Sequence, residues 1–139
     1  MEKRISSRAI IIDDDSVLAI FRRKRKDGVV KEYYVIPGGG LEDGETLEEN
    51  VIRELKEEIS VDIEILGYLG IVEREDTIGH YFHCKITNGT PVLGGEEKDR
   101  MSEDNYYEIK WLKLNEIEKY DLSAIDKIKM AINHEYIER

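Results

Sequence analysis

The sequence predicts an α/β fold, on three observations. Residues 47–59 repeat their apolar side chains at helical spacing directly behind a run of glycines. Several β-branched runs are separated by short polar turns in the manner of hairpins, and a second helical stripe of apolar residues lies near the end of the chain. At 139 residues, with 40% hydrophobic and 37% charged residues, the chain fits one domain over 1–139 that can bury a real core.

From the N-terminus, residues 5–12 and 17–21 are rich in aliphatic and β-branched side chains, and Asp13 to Ser16 make the turn of a hairpin between them. Five consecutive cations follow, Arg22 to Lys26, closed by Asp27-Gly28. Such a run would suit a phosphate tail or an RNA end, but the plainer reading is a strand end and turn held in water. Residues 29–36 return as a strand into Pro37 and the turn Gly38-Gly39-Gly40, whose glycines permit positive φ and close backbone approach. A glycine carbonyl there could help hold a cation. The turn is not a phosphate-binding P-loop, because no Lys-Ser/Thr pair follows it.

In the helix that comes next, Leu47, Val51, Ile52, Leu55 and Ile59 share one arc and form the core-facing stripe. Glu54, Glu57 and Glu58 occupy the adjoining arc at i, i+3, i+4 spacing, where like charges cost a few tenths of a kcal/mol per pair. A helix built only for stability would carry lysines there. The plainer account is a solvated acidic face, but a local rule broken without structural gain points to a site, and clustered carboxylates suit a hard cation such as Mg²⁺.

Residues 63–74 and 79–87 read as two further strands, with Phe82, Cys84 and Ile86 on one face and Tyr81, His83 and Lys85 on the other. His80 and His83 therefore diverge, and no zinc site is expected. Residues 94–105 read as a polar loop carrying Glu96, Glu97, Glu103 and Asp104. Residues 106–114 form a strand containing Trp111, and 116–120 a short helical turn. Ser123 is expected to cap a final helix running to about Tyr136, striped by Ile125, Ile128, Ala131 and Ile132.

Read as a pattern, the central stretch is Gly39, five residues, Glu45, seven residues, then Arg53-Glu54-Leu55-Lys56-Glu57-Glu58. This resembles the signature of the Nudix hydrolases, G-x5-E-x7-R-E-U-x-E-E-x-G-U with U aliphatic. Every fixed position matches except the last glycine, which is Ser60 here; Val61 fits the closing aliphatic. Gly would supply a left-handed cap at that point, so the departure concerns the local turn. The preceding Tyr34 to Gly40 also resembles the family's strand and turn, and a looser likeness continues through Trp111-Leu112 to the C-terminal helix. The resemblance implies an α/β/α sandwich of the Nudix type, with a mixed, curved β-sheet between helices.

It also implies hydrolysis of a nucleoside diphosphate linked to another moiety, with Mg²⁺ as cofactor and Mn²⁺ as a substitute. The diphosphate and the box carboxylates are both anionic and cannot meet without a divalent cation, which would be held by Glu54, Glu57 and Glu58. Arg53 is expected to orient these glutamates and to pair with Glu45. A base for the attacking water would come from Glu54 or from the 96–104 loop, with Glu97 the first choice there. Gly38 and Gly39 are expected to contact substrate. Among substrates a nucleoside triphosphate comes first, with ADP-ribose, dinucleoside polyphosphates and capped RNA ends as alternatives. A non-catalytic nucleotide-binding module of the same family is disfavoured because every box carboxylate is present. A diphosphate isomerase is disfavoured because lone Cys84 looks inward.

The partner expected is thus a small nucleotide. A net charge of −10 argues against gripping nucleic acid. No apolar run approaches the ~18 residues of a membrane span, Met1 to Arg4 lead in without a signal-peptide core, and a single cysteine agrees with a reducing cytoplasm. A monomer or homodimer is expected.

Overall fold

The computed structural model describes residues 2–139. β1 (Arg4–Asp13) lies at the centre of a mixed sheet. It pairs in parallel with β6 (Thr77–Asn88), and on its other side antiparallel with the short β4 (Gly38–Gly40). β5 (Asp62–Glu73) flanks β6 antiparallel, with register shifts near Ile65 and Tyr68. The C-terminal end of β1 turns at Asp14 into β2 (Ser16–Lys26), which carries β3 (Val29–Val35) on one side and β7 (Asn105–Lys113) on the other, all antiparallel.

The period of two is visible in the core. Ala9, Ile11, Leu18 and Ile20 pack with Val51, Leu55, Ile59, Phe82 and Cys84 beneath α1 (Leu47–Ile59). Their strand neighbours Ile10, Val17 and Ala19 pack on the opposite face with Leu69, Tyr81, Ile128 and Ala131 beneath α3 (Ile125–Ile132). Both faces of the sheet are covered, which is why these strands read as unbroken apolar runs. The expected mixed sheet between helices is what forms.

α1 begins with a capping box. The Thr46 hydroxyl accepts from the Glu49 N–H at 3.0 Å, and the Glu49 carboxylate accepts from the Thr46 N–H at 2.9 Å. The helix ends at Ser60, which adopts the left-handed conformation (φ 65°, ψ 33°) that the family's glycine would take. Of the expected stripe, Ile52 is 44% exposed; it sits one position beyond Val51 and rotates out of a stripe only as wide as the sheet beneath it.

β2 runs through Lys26 and turns at Asp27-Gly28, so the largely exposed basic run is the strand end and turn expected, with Lys24 directly opposite Lys31 of β3. Other expectations change. The 94–105 segment is not all loop, since Gly95–Arg100 form a short helix, α2, with Gly94 as its first cap. Finally, Ser123 does not cap α3: Ala124 holds that position and makes no side-chain cap bond. α3 also ends at Ile132, leaving Ile132 itself 43% exposed, and His134 turns the chain at φ 53°. The remaining residues wrap the free edge of β5. Ile137 donates its N–H to the Tyr68 carbonyl at 2.8 Å, and Tyr136 covers Gly67 so closely that a Cβ there would overlap its ring. Arg139 reaches both oxygens of Glu48, in the first turn of α1, at 2.7 and 2.9 Å. Among the described residues, no helix is long and apolar enough to cross a membrane.

Candidate functional site

The glycine turn and α1 are locked together by side chains of the helix. Asn50, fully buried, donates its amide to the Gly40 carbonyl at 3.0 Å, and Arg53 Nη2 donates to the same oxygen at 3.1 Å. Gly38, at φ 152°, lies so close to β1 that a Cβ would overlap the Ser7 carbonyl. Its N–H donates to Glu58 Oε1 at 2.9 Å. At Gly39 a Cβ would overlap the Glu54 carboxylate itself. The turn therefore needs glycine because the acidic face of the helix presses against it.

Arg53 organises that face. Its Nε and Nη2 fork onto both oxygens of Glu45 at 2.6 and 3.0 Å, and Nη1 reaches Glu54 at 3.1 Å and Glu57 at 3.0 Å. A planar bidentate pair is the geometry arginine forms with a carboxylate and lysine cannot. The bonds from Arg53 hold the Glu45 carboxyl below its usual pKa, and those from Glu45 in turn raise that of Arg53.

The other carboxylates move the opposite way. Burial pushes Glu58 up to about 8, against the Gly38 N–H and Arg8, and nearby Glu97 and Glu54 add to the rise. Burial also raises Glu54 and Glu97. Gly94 fixes α2 against the end of α1: its N–H donates to the Glu58 carbonyl at 2.8 Å, and a Cβ there would overlap the Glu57 carbonyl. α2 thereby turns Glu97 toward the box, where its Oε2 is buried without a hydrogen-bond partner. The acidic neighbours behave differently. Glu96 pairs with Arg100 within α2, and Glu103 is exposed.

Among the described residues, no three His, Cys, Asp or Glu side chains converge tightly enough to enclose an ion. Glu54 and Glu57 are drawn aside by Arg53, and Glu58 by Gly38. The donor chemistry is nonetheless that of a hard divalent cation: oxygen only, with one orphaned buried carboxylate oxygen and one carboxyl whose ionisation burial opposes. Elsewhere, Cys84 is buried with its thiol pushed up to about 12, which denies it a nucleophilic role. His80 and His83 face opposite sides and bond Tyr68 and Tyr136.

Gly39 and Gly40 border a cleft of about 1090 Å³ that opens away from α1, along β1, β3 and the end of β6. Gly38 is buried and is not part of its lining, whereas Gly39 and Gly40 are. The sequence reading missed the cleft, because its walls come from strands far apart in the chain.

The NUDIX domain model matches residues 2–131. A Methanocaldococcus jannaschii protein named ADP-ribose pyrophosphatase is 34% identical over 92% of this chain and 66% of its own length. A Proteus vulgaris protein named 8-oxo-dGTP diphosphatase is 42% identical over 51% of this chain and 58% of its own. The chain thus spans less than two thirds of each of these curated relatives. A MutT Nudix hydrolase from Burkholderia pseudomallei, of known structure, superposes with a TM-score of 0.67 at 21% identity, covering 96% of this chain and 98% of that one. The match across nearly the whole chain agrees with the glycine turn, the Glu45–Arg53 fork and the acidic helix face: this protein belongs to the Nudix family.

Proposed function

We propose that the protein is a divalent-metal-dependent pyrophosphohydrolase that cuts a phosphoanhydride bond in a nucleoside diphosphate linked to a second group. One observation carries this reading: Glu54, Glu58 and Glu97 share an environment that resists their ionisation, beside a glycine turn at the mouth of a large cleft. Carboxyls whose charge burial disfavours, one of them with an unpartnered buried oxygen at Glu97 Oε2, suit a cation.

In this reading Glu54, Glu57 and Glu58 hold Mg²⁺, with Mn²⁺ able to replace it. A divalent cation there supplies charge neutralisation for the diphosphate and a lowered pKa for water. The protein's own part is positional. Arg53, anchored on Glu45, sets the orientation of Glu54 and Glu57, and its fork survives when either is drawn toward a ligand. Asn50 and Arg53 together fix the Gly40 carbonyl, and so the path along which a diphosphate passes from cleft to helix. Glu97 is the base: burial raises its pKa, which makes it a stronger proton acceptor than an ordinary carboxylate, and its Oε2 has no hydrogen-bond partner. Gly39 and Gly40 contact the substrate where side chains would not fit.

A substrate with a sizeable second half, of the ADP-ribose kind, is favoured by the cleft volume and by the name of the M. jannaschii relative. A nucleoside triphosphate, first on the sequence alone, is the second reading and finds support in the name of the Proteus relative. The test is a panel of both substrate kinds with Mg²⁺, identifying the released products, beside Glu57→Gln. Hydrolysis between the two phosphates of ADP-ribose, lost by more than about 100-fold in the variant, is expected; loss of an outer partner alone costs about 10–100-fold. No turnover of any anhydride would overturn the proposal.

A further inference from the structure

The ion pairs of this chain avoid the cleft beside the glycine turn. Arg4, Arg8, Lys24, Lys26, Lys31 and Arg74 all line it, and among the described residues none of the six forms a salt bridge. Most of the other cations are paired, as expected in a chain with 31 acidic residues and only 21 Lys and Arg. Apart from Arg74, the unpaired cations of the cleft fall into two groups. Arg8 packs against the glycine turn, and the Arg4 guanidinium lies 3.2 Å from where a Gly40 Cβ would sit. Those two stand where the diphosphate enters. Lys24, Lys26 and Lys31 stand on the β2–β3 hairpin. Lys31 lies four residues up β3 from Val35, about 13 Å further along the cleft at ~3.3 Å per residue.

The hairpin group breaks a pairing rule. Arg23 faces Glu32 across the strands, as charge complementarity prefers, but Lys24 faces Lys31. Like charges directly opposite destabilise a hairpin. Lysines also guard open sheet edges, yet on the other outer strand, β7, Lys110 and Lys113 are neutralised by Glu108 and Asp15. Edge protection therefore does not require unpaired lysines, and the hairpin's three remain free on the cleft wall. Tyr33 and Tyr34 line the cleft between the two cation groups.

We infer that Lys24, Lys26 and Lys31 form a second anion subsite, which selects substrates bearing a phosphate remote from the anhydride that is cut. The first cation group serves the diphosphate, the tyrosines the intervening sugar or base, and the lysines a terminal phosphate ester. The inference takes the direction of substrate binding from the proposed hydrolase activity, but the subsite itself is read by binding.

The experiment compares ADP-ribose with two derivatives, one phosphorylated on the adenosine ribose and one on the terminal ribose. Both Kd by calorimetry and kcat/KM with Mg²⁺ are measured, for wild type and for the triple variant K24S/K26S/K31S. One phosphorylated derivative should bind and turn over at least about tenfold better than ADP-ribose in the wild type, a preference that weakens as salt rises. The triple variant should bring that ratio close to one. Equal Kd values for all three probes in wild type, or a preference that survives the triple variant, would overturn the inference. Tighter binding of a short oligoribonucleotide than of either derivative would assign the lysines to nucleic acid and would overturn it as well. If no probe is hydrolysed but the Kd preference appears and is lost in the variant, the subsite stands and the hydrolase reading fails.

Discussion

Replacing Glu58 by Gln isolates the electrostatic cost of the acidic face. Burial lifts this carboxyl from 4.5 to about 8 in the folded protein, while the unfolded chain ionises it near 4.5. Between those values the folded state holds a proton that the unfolded state has lost. The metal-free protein is therefore most stable below the unfolded value, and it loses that stability as pH rises through the folded one. At ~1.4 kcal/mol per pKa unit a shift of this size amounts to roughly 5 kcal/mol. For a chain of this length each kcal/mol corresponds to about 2–4 °C, so Glu58 contributes a fall in Tm of about 10–20 °C between about pH 5 and about pH 9. Glu58→Gln removes the ionisation while its side-chain oxygen still accepts from the Gly38 N–H. Thermal denaturation in EDTA, followed by circular dichroism across that range, should show the variant gaining on wild type as pH rises. Added Mg²⁺ should restore the wild type at high pH and act weakly on the variant. Parallel Tm curves for the two proteins in EDTA would refute the reasoning.

The other predictions are shorter. Gly39→Ala drives a methyl group into the Glu54 carboxylate and should lower kcat by about 100-fold, as displacements near 1 Å do, with an unchanged circular dichroism spectrum; wild-type turnover would mean the turn can retreat freely. Glu97→Gln should depress kcat with little change in KM and recover part of it as pH rises. Because burial raises the Glu97 pKa, the wild-type rate should climb with pH above the usual carboxylate range, and this limb should vanish in the variant. Gln at Glu96 and Glu103 should behave as wild type, and if Glu97→Gln does too, Glu54 becomes the base. Ser60→Gly should raise Tm by up to about 3 °C, since release from the left-handed conformation (~1–2 kcal/mol) exceeds the extra chain entropy of glycine (~0.5–1 kcal/mol). A β-branched Val at the same position should lower Tm, and a fall in the glycine variant would show that Ser60 is not strained.

Much of the helix and its turn was legible because the physics there is local. The stripe from Leu47 to Ile59 and the spacing of Glu54, Glu57 and Glu58 lie within one short stretch, although the Thr46–Glu49 capping box went unread. The pairing of Glu45 with Arg53 was implied by the family resemblance. What failed to show depends on distant packing. Gly94-Gly95-Glu96-Glu97 reads as loop, and becomes a helix only because Gly94 docks against the Glu57 and Glu58 carbonyls. The basic run reads as a strand end and turn by composition, but which strands flank it, β7 on one side and β3 on the other, is set by distant pairing. α3 stops early because the chain leaves to cover β5 and to reach Glu48, a destination no helical periodicity reveals.

The parallel pairing of β1 with β6 sets a timetable for folding. Arg4 lies beside Thr77 and Ile11 beside Cys84, so the first strand meets its partner only after more than half the chain has been made. Closing so long a loop is slow compared with forming the β5–β6 hairpin, whose strands are joined by residues 74–76 alone. During synthesis the greasy runs of β1 and β2, Ala9 to Ile12 and Val17 to Ile20, therefore emerge with neither β6 nor α3 to cover them. Such exposed strands invite association between chains. The hairpin from β5 to β6 thus acts as the template on which the older half of the molecule waits to fold, and changes that slow its formation should reduce soluble yield before they alter the stability of the finished protein.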